Sequence, residues 1–209
     1  MHAIFRGVSV IPVLTIDRER DAVPLARALF EGGLPVIEVT MRTAAAGAAV
    51  AAIRRELAQV VVGAGTLLRA ADVATAVQAG AGFLVSPGLT PELAAAALAA
   101  ELPYLPGVAT PSEVMAARAL GICVMKLFPA EALGGAAWLK ALAPVFPGVA
   151  FCPTGGIDET RAAEYLTLAN VPMVGGSWMV PRDAVAAGDW RRIRRLAERA
   201  AAIGRREAA

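Results

Sequence analysis

Short apolar runs rich in β-branched residues alternate along this chain with longer Ala- and Leu-rich stretches of helical period. The runs cover 8–14, 36–40, 60–64, 83–86, 104–106, 123–128, 149–153 and 173–175, recurring at intervals of about twenty to twenty-five residues. Between them the pattern predicts helices over 19–31, 44–57, 70–80, 91–100, 111–120, 135–143, 158–169 and 183–203. Strand alternating with helix predicts a parallel sheet covered by helices, because a parallel connection must cross back over a face of the sheet. Eight such units predict an α/β fold closed into a (β/α)8 barrel of the TIM type. No linker or low-complexity stretch interrupts residues 1–209, so a single domain is expected.

Local punctuation agrees with these boundaries. Thr110-Pro111-Ser112-Glu113 places a capping hydroxyl, a proline at the first helical position and a glutamate where a capping box needs one. Thr90-Pro91 starts another helix in the same way. Gly32-Gly33, Gly80 and Gly121 follow helical runs, where a left-handed cap is expected.

Composition narrows the function. Apolar residues make up 57% and charged residues 18%, so the core is large and the surface sparingly charged. A net charge of +2 is too weak a bias for a nucleic-acid partner, and no basic run is interleaved with aromatics. The cluster Arg191-Arg192-Ile193-Arg194-Arg195 reads as the wet face of the last helix. Residues 7–16 resemble the apolar part of a signal peptide, but Pro12 and the charges after Ile16 favour a strand. Apolar windows such as 73–91 are broken by Gly, Pro, Ser and Thr, so no transmembrane helix is expected. Cys123 and Cys152 fall in apolar runs and read as buried thiols in a reducing compartment, with a disulfide between strands the less favoured reading. The sole histidine, His2, lies at the terminus, which argues against histidine-based zinc sites, triads and bases.

Lysine occurs only at Lys126 and Lys140. Lys140 reads as a surface residue of a helix. Lys126 sits within Val124-Met125-Lys126-Leu127-Phe128, where every neighbour belongs in a core. Lysine is rarely buried without compensation, and a buried amine in its neutral form is free to attack a carbonyl. A lysine that snorkels to water from a strand end is the competing structural reading.

In such barrels the active site lies at the C-terminal ends of the strands, and the unusual polar residues of this chain concentrate there. Glu38 is flanked by apolar residues in the second run and is followed by Arg42. Later runs end in Gly65-Thr66, Ser86-Pro87-Gly88, Pro106-Gly107, Phe128-Pro129-Ala130-Glu131, Thr154-Gly155-Gly156 and Gly175-Gly176-Ser177. Structural readings exist for each: Glu38 paired with an arginine of the helix layer, Arg42 as a solvated loop residue, the glycines as turns. Glu131 and Asp158 read as local loop or capping charges. Two Gly-rich turns after the seventh and eighth strands nevertheless match the phosphate site recurrent in these barrels, since glycine lets backbone N–H groups approach an anion. Lysine, carboxylate, arginine and an anion cradle together suit aldol chemistry through an enamine.

Six motifs carry a family resemblance. Glu38-Val39-Thr40-Met41-Arg42-Thr43, Val62-Gly63-Ala64-Gly65-Thr66, Ser86-Pro87-Gly88-Leu89-Thr90, Lys126-Leu127-Phe128-Pro129-Ala130-Glu131, Cys152-Pro153-Thr154-Gly155-Gly156-Ile157 and Gly175-Gly176-Ser177-Trp178 resemble the class I 2-keto-3-deoxy-6-phosphogluconate aldolases. Many members also act on 4-hydroxy-2-oxoglutarate. The resemblance runs from about residue 8 to 205, with the motifs in order. It implies Lys126 as the Schiff-base lysine and Glu38 as the general acid/base, acting through water. It implies Arg42 and Thr66 on the pyruvyl carboxylate, Pro87 and Phe128 as pocket walls, Thr154 near the substrate hydroxyls, and Gly155, Gly156, Gly176 and Ser177 around the phosphate. It further implies a cytoplasmic homotrimer of the Entner–Doudoroff pathway that takes a phosphorylated keto acid, needs no metal or cofactor, and yields pyruvate and glyceraldehyde 3-phosphate.

The resemblance is close but not complete. The N-terminal lead is short, so a helix that family members pack near the barrel is expected to be curtailed, and Leu127 replaces a frequent aromatic residue. Thr154 favours the gluconate over the 6-phosphogalactonate epimer. The competing readings are an aldolase for that epimer, an acid–base isomerase, and a non-catalytic barrel that binds a phosphorylated metabolite.

Overall fold

The computed structural model describes residues 3–205, and His2 lies outside them. Strand and helix alternate as the sequence pattern predicts: β1 (Val10–Leu14), α1 (Ala22–Glu31), β2 (Val36–Thr40), α2 (Ala46–Glu56), β3 (Val61–Gly65), α3 (Ala70–Gln78), β4 (Leu84–Val85) and α4 (Pro91–Ala99). The second half follows with β5 (Tyr104–Leu105), β6 (Gly107–Val108), α5 (Pro111–Ala119), β7 (Val124–Leu127), α6 (Gly135–Leu142), β8 (Ala150–Pro153), α7 (Glu159–Leu166), β9 (Val174–Gly176), α8 (Arg182–Ala187) and α9 (Trp190–Arg205).

All the strand pairs described are parallel, and they form a curled six-stranded sheet ordered β5-β4-β3-β2-β1-β9 beside a three-stranded sheet ordered β6-β7-β8. The expected fifth strand is therefore two short ones on either side of Pro106. Proline has no N–H to give a ladder, though its carbonyl still accepts from Lys126 N at 2.8 Å. The end of β8 meets β9 through a parallel bridge between Thr154 and Gly175.

The helices begin where their caps dictate. Thr90 accepts from Leu93 N, and Thr110 with Glu113 completes a capping box. Gly80 and Gly121 take φ of 82° and 79°, the left-handed geometry anticipated for them. Gly32 differs: its φ is −78°, and it is glycine because a β-carbon there would overlap Ala197 of α9. The long last helix is also interrupted, with Gly188 at φ 66° separating α8 from α9. Ahead of β1 a 3-10 turn covers Ala3–Phe5. Cys123 is the clear exception among the core assignments, since β7 begins one residue later and leaves its side chain exposed.

Strand side chains alternate between two faces. One face meets the helices. The other carries Ile11, Val36, Phe83, Val85, Leu105, Val124, Cys152 and Met173, a buried cluster joined by Phe5. Phe5 packs edge-on against Phe83 with ring centres 5.3 Å apart, closing this apolar floor at the strand N-termini. Higher on the same face bulk gives way to glycine. A β-carbon at Gly63 would overlap Phe83, at Gly65 the carboxylate of Glu38, at Gly107 the Pro87 carbonyl, and at Gly175 the Thr154 hydroxyl. Glu38 and Thr154 fill two of these spaces, and both are buried, as is Lys126 on the same face.

Candidate active site

Lys126 and Glu38 lie on β7 and β2 with their side chains turned to the inner face. They are 5% and 4% exposed, and Lys126 Nζ stands 3.3 Å from Glu38 Oε1. Glu38 thus pairs with the catalytic candidate rather than with an arginine of the helix layer. Neither charge stands uncompensated in the interior, which is the condition for burying either. A single proton moved along this contact converts ammonium and carboxylate into free amine and carboxylic acid. The Phe128 ring centre lies 5.4 Å from the ammonium, adding a favourable aromatic face. Cys152, level with Lys126 on β8, is buried, and burial pushes its thiol up to about 12. It therefore stays a neutral neighbour.

Arg42 and Thr66 meet at the ends of β2 and β3, where Arg42 Nε donates to Thr66 Oγ1 at 3.3 Å. Thr66 adopts φ 60°, which a β-branched residue avoids at a cost of about 1–3 kcal/mol. Ladder bonds on both sides hold it there: Met41 N to Gly65 O at 2.8 Å and Leu67 N to Val85 O at 3.2 Å. The strain keeps the Thr66 hydroxyl beside the guanidinium. Pro87 follows the short β4, in a turn fixed by Ser86, whose hydroxyl bonds Gly88 O at 2.6 Å and meets Tyr104 Oη at 2.7 Å.

A cavity of about 850 Å³ opens where β1, β8 and β9 end, and its lining includes Arg42, Phe128, Thr154, Gly155, Gly156, Gly176 and Ser177. Arg42, one of the two carboxylate candidates, and the four phosphate candidates thus share one chamber. Lys126 and Glu38 are not in its lining, nor are Thr66 and Pro87. The buried pair sits one inner position deeper on its strands, below Phe128 and Thr40.

The glycine turn is braced from behind. Gly155 and Gly156 have φ of 102° and 77°, open only to glycine at low cost. Ala130 N donates to Thr154 O at 2.8 Å and Glu131 N to Gly155 O at 3.2 Å. The Glu131 side chain packs its Cβ and Cγ against Gly156, and its carboxylate accepts from Tyr165 Oη and from Arg161, the latter at 2.7 Å. Burial and this carboxylate push the Tyr165 phenol up, so it remains a donor. Asp158 caps α7 by accepting from Arg161 N at 2.9 Å.

Several lining residues escaped the sequence reading. Thr15, Asp17, Arg18, Asp21 and Arg182 face the same cavity. Thr40 lies behind Thr15, with their hydroxyls 3.3 Å apart. The available signal was positional: Thr40 has the parity of Glu38, and Thr15 follows the first strand as Thr66 follows the third. No sequence feature marked Arg182, whose helix was expected to start one residue later.

Comparison with known proteins agrees with this geometry. The family model described as "Aldolase: KDPG and KHG aldolase" matches residues 1–196. The chain is 47% identical over 200 residues to the 2-dehydro-3-deoxy-phosphogluconate aldolase of Pseudomonas aeruginosa, covering 96% of this chain and 91% of that one. It is 47% identical over 191 residues to the KHG/KDPG aldolase of Escherichia coli, covering 91% and 90%. Among solved structures, the KDPG aldolase of Legionella pneumophila, with pyruvate captured as a covalent carbinolamine intermediate, superposes at TM-score 0.91 with 45% identity over 94% of this chain and 95% of that one. The Zymomonas mobilis 2-keto-3-deoxy-6-phosphogluconate aldolase with 3-phosphoglycerate gives 0.90 and 46% identity over 96% and 94%. A family model spanning nearly the whole chain, relatives close to half identical and a matching fold leave one assignment: the chain belongs to the KDPG and KHG aldolase family.

Proposed function

We propose that this chain is a class I aldolase, a lyase that cleaves 2-keto-3-deoxy-6-phosphogluconate to pyruvate and glyceraldehyde 3-phosphate through a Schiff base on Lys126. The observation that carries the reading is the buried 3.3 Å contact between Lys126 and Glu38. Glu38 takes the ammonium proton, and the free amine adds to the C2 carbonyl to give a carbinolamine. Glu38 returns a proton as hydroxide leaves as water, and the imine forms. Loss of the C4 hydroxyl proton, through water to Glu38, then breaks the C3–C4 bond. The electron pair passes into the iminium, leaving an enamine and a free aldehyde. Protonation at C3 and addition of water release pyruvate and restore the lysine. The scheme balances without a metal or a cofactor.

The remaining roles are those the family resemblance implies, supported for Arg42, Phe128, Thr154, Gly155, Gly156, Gly176 and Ser177 by their shared cavity. Arg42 and Thr66 hold the carboxylate, and Pro87 and Phe128 wall the pocket. Thr154 meets a substrate hydroxyl, and Gly155, Gly156, Gly176 and Ser177 receive the phosphate. The Legionella pneumophila aldolase with its covalent carbinolamine and the Zymomonas mobilis aldolase with 3-phosphoglycerate support both ends of this arrangement. The name of the Escherichia coli relative supports additional cleavage of 4-hydroxy-2-oxoglutarate to pyruvate and glyoxylate. Preference for the gluconate epimer is supported by the much lower identity, 25%, to a KDPGal structure of TM-score 0.84.

The same reading extends to architecture and setting. We take residues 1–209 as one domain whose two sheets close into a (β/α)8 barrel, supported by β5 and β6 flanking Pro106 and by the Thr154–Gly175 bridge. A homotrimer gives Leu68 and Met115, each 62% exposed, an apolar surface to bury. The cytoplasm, where thiols stay reduced, suits the free Cys123 and Cys152.

Borohydride reduction in the presence of pyruvate tests the proposal. A stable adduct is expected on Lys126, mapped by mass spectrometry of the peptide that contains it. Cleavage of the phosphorylated keto acid with Lys126 unmodified would overturn the mechanism, and an isomerase or a passive binding barrel would give neither adduct nor cleavage. Ser177→Ala is expected to raise KM for the phosphorylated substrate about tenfold while moving KM for 4-hydroxy-2-oxoglutarate far less, as loss of a bond to a charged group predicts. Equal changes on the two substrates would remove the phosphate from this turn.

A further inference from the structure

Thr15 and Thr40 form a directed pair of hydroxyls at the cavity wall. Thr40 is fully buried, and its Oγ1 donates to Leu14 O at 2.8 Å. A carbonyl only accepts, so the single hydroxyl proton of Thr40 is committed there. The 3.3 Å contact between Thr40 Oγ1 and Thr15 Oγ1 then has one polarity, with Thr15 donating and Thr40 accepting. Thr15 has spent its only proton. What its oxygen presents to the cavity, where it is exposed, is lone pairs alone.

The position of this acceptor is set by the sheet. β1 lies between β2, which carries Glu38, and β9, which carries the phosphate candidates. Val13 is level with Glu38, and Pro12 with Gly176. Thr15 therefore follows the strand that lies beside β9, and it faces the same cavity as Gly176 and Ser177. A chain bound at C2 by Lys126 and at its terminal phosphate by Gly176 and Ser177 runs through the cavity, which Thr154 walls from the β8 side and Thr15 from the β1 side. The C4 hydroxyl gives up its proton in the cleavage, so it belongs to the base. With Thr154 taken to meet the C4 hydroxyl beside the base, the C5 hydroxyl is the donor left without a partner.

We propose that Thr15, locked as an acceptor by Thr40, receives the hydrogen bond of the substrate hydroxyl next to the phosphate-bearing carbon. In the condensation direction the same group is the 2-hydroxyl of the aldehyde. Thr15 is the specificity-determining residue and Thr40 its positioning residue. The inference rests on the aldolase reading above and adds to it a chemical preference, for aldehydes hydroxylated beside the carbonyl.

The test is condensation of pyruvate with glyceraldehyde 3-phosphate and with its 2-deoxy analogue, 3-phosphooxypropanal, the preference being the ratio of their kcat/KM values. Thr15→Val is expected to lower that ratio about tenfold, the loss of one hydrogen bond to a buried hydroxyl, and Thr15→Ser to restore most of it. Thr40→Val frees the Thr15 proton and is expected to lower the ratio by a smaller factor. The double variant should match Thr15→Val alone, a non-additivity that simple loosening of the wall would not produce. Equal losses on both aldehydes, or additive effects in the double variant, overturn the assignment. Borohydride trapping of pyruvate by each variant separates the two levels: an adduct with no change in ratio sinks only the role of Thr15, whereas no adduct in the unmodified protein sinks the aldolase reading and this one with it.

Discussion

Lys126→Ala should abolish turnover, lowering kcat by about 10⁴-fold or more, because it removes the covalent step rather than weakening it. Pyruvate release coupled to its reduction provides the measurement. The cavity proposed to receive carboxylate and phosphate is lined by other residues, so substrate binding should survive, and a thermal melt should show a folded protein. The melt should nonetheless shift. Removing one partner of a buried pair leaves Glu38 without its cation, a loss of about 3–5 kcal/mol unless the carboxyl takes up a proton. Activity and stability therefore report different things: the first the imine, the second the pairing at 3.3 Å. A variant that keeps near-normal turnover would move the chemistry away from this strand.

Glu38→Gln should slow catalysis by about 10²–10⁴-fold, the range expected for a lost general acid/base. The amide has the shape of the carboxylate, and its oxygen can still accept from Lys126. It cannot take the ammonium proton or return one to the departing hydroxide. Pyruvate adduct formation on Lys126 should accordingly slow along with kcat, while KM changes little. An unaltered rate would pass the base to another group. Shape matters here because Gly65 lies directly against this carboxylate and leaves no room for a β-carbon. Glu38 is held in place by a neighbour that is absent as much as by one that is present.

The two carboxylates of the sequence reading illustrate how environment assigns a role. Glu38 and Glu131 both follow or occupy strands near glycine turns. Glu38 is buried against an amine, whereas Glu131 meets Tyr165 and Arg161 behind the Gly155-Gly156 turn. A carboxylate held by a phenol and a guanidinium stiffens a loop. One facing a lone ammonium has a proton to exchange.

Much of this was written in one dimension. Alternation of apolar runs with helical segments reflects the local periods of strand and helix, and capping and turn residues mark element ends through bonds made within a few positions, as at Thr110 and Glu113. A lysine inside an apolar run announces chemistry because its burial needs compensation. What compensates it lay beyond the sequence, since Glu38 is 88 positions away and meets it only when β2 and β7 face each other across the interior. Strand curvature and register likewise decided that Cys123 is exposed, that Pro106 divides a strand, and that Gly32 makes room for α9. The polarity of the Thr15–Thr40 pair is of the same kind. Each hydroxyl is unremarked alone, and a direction arises only when a backbone carbonyl of the neighbouring strand claims the one proton that fixes both.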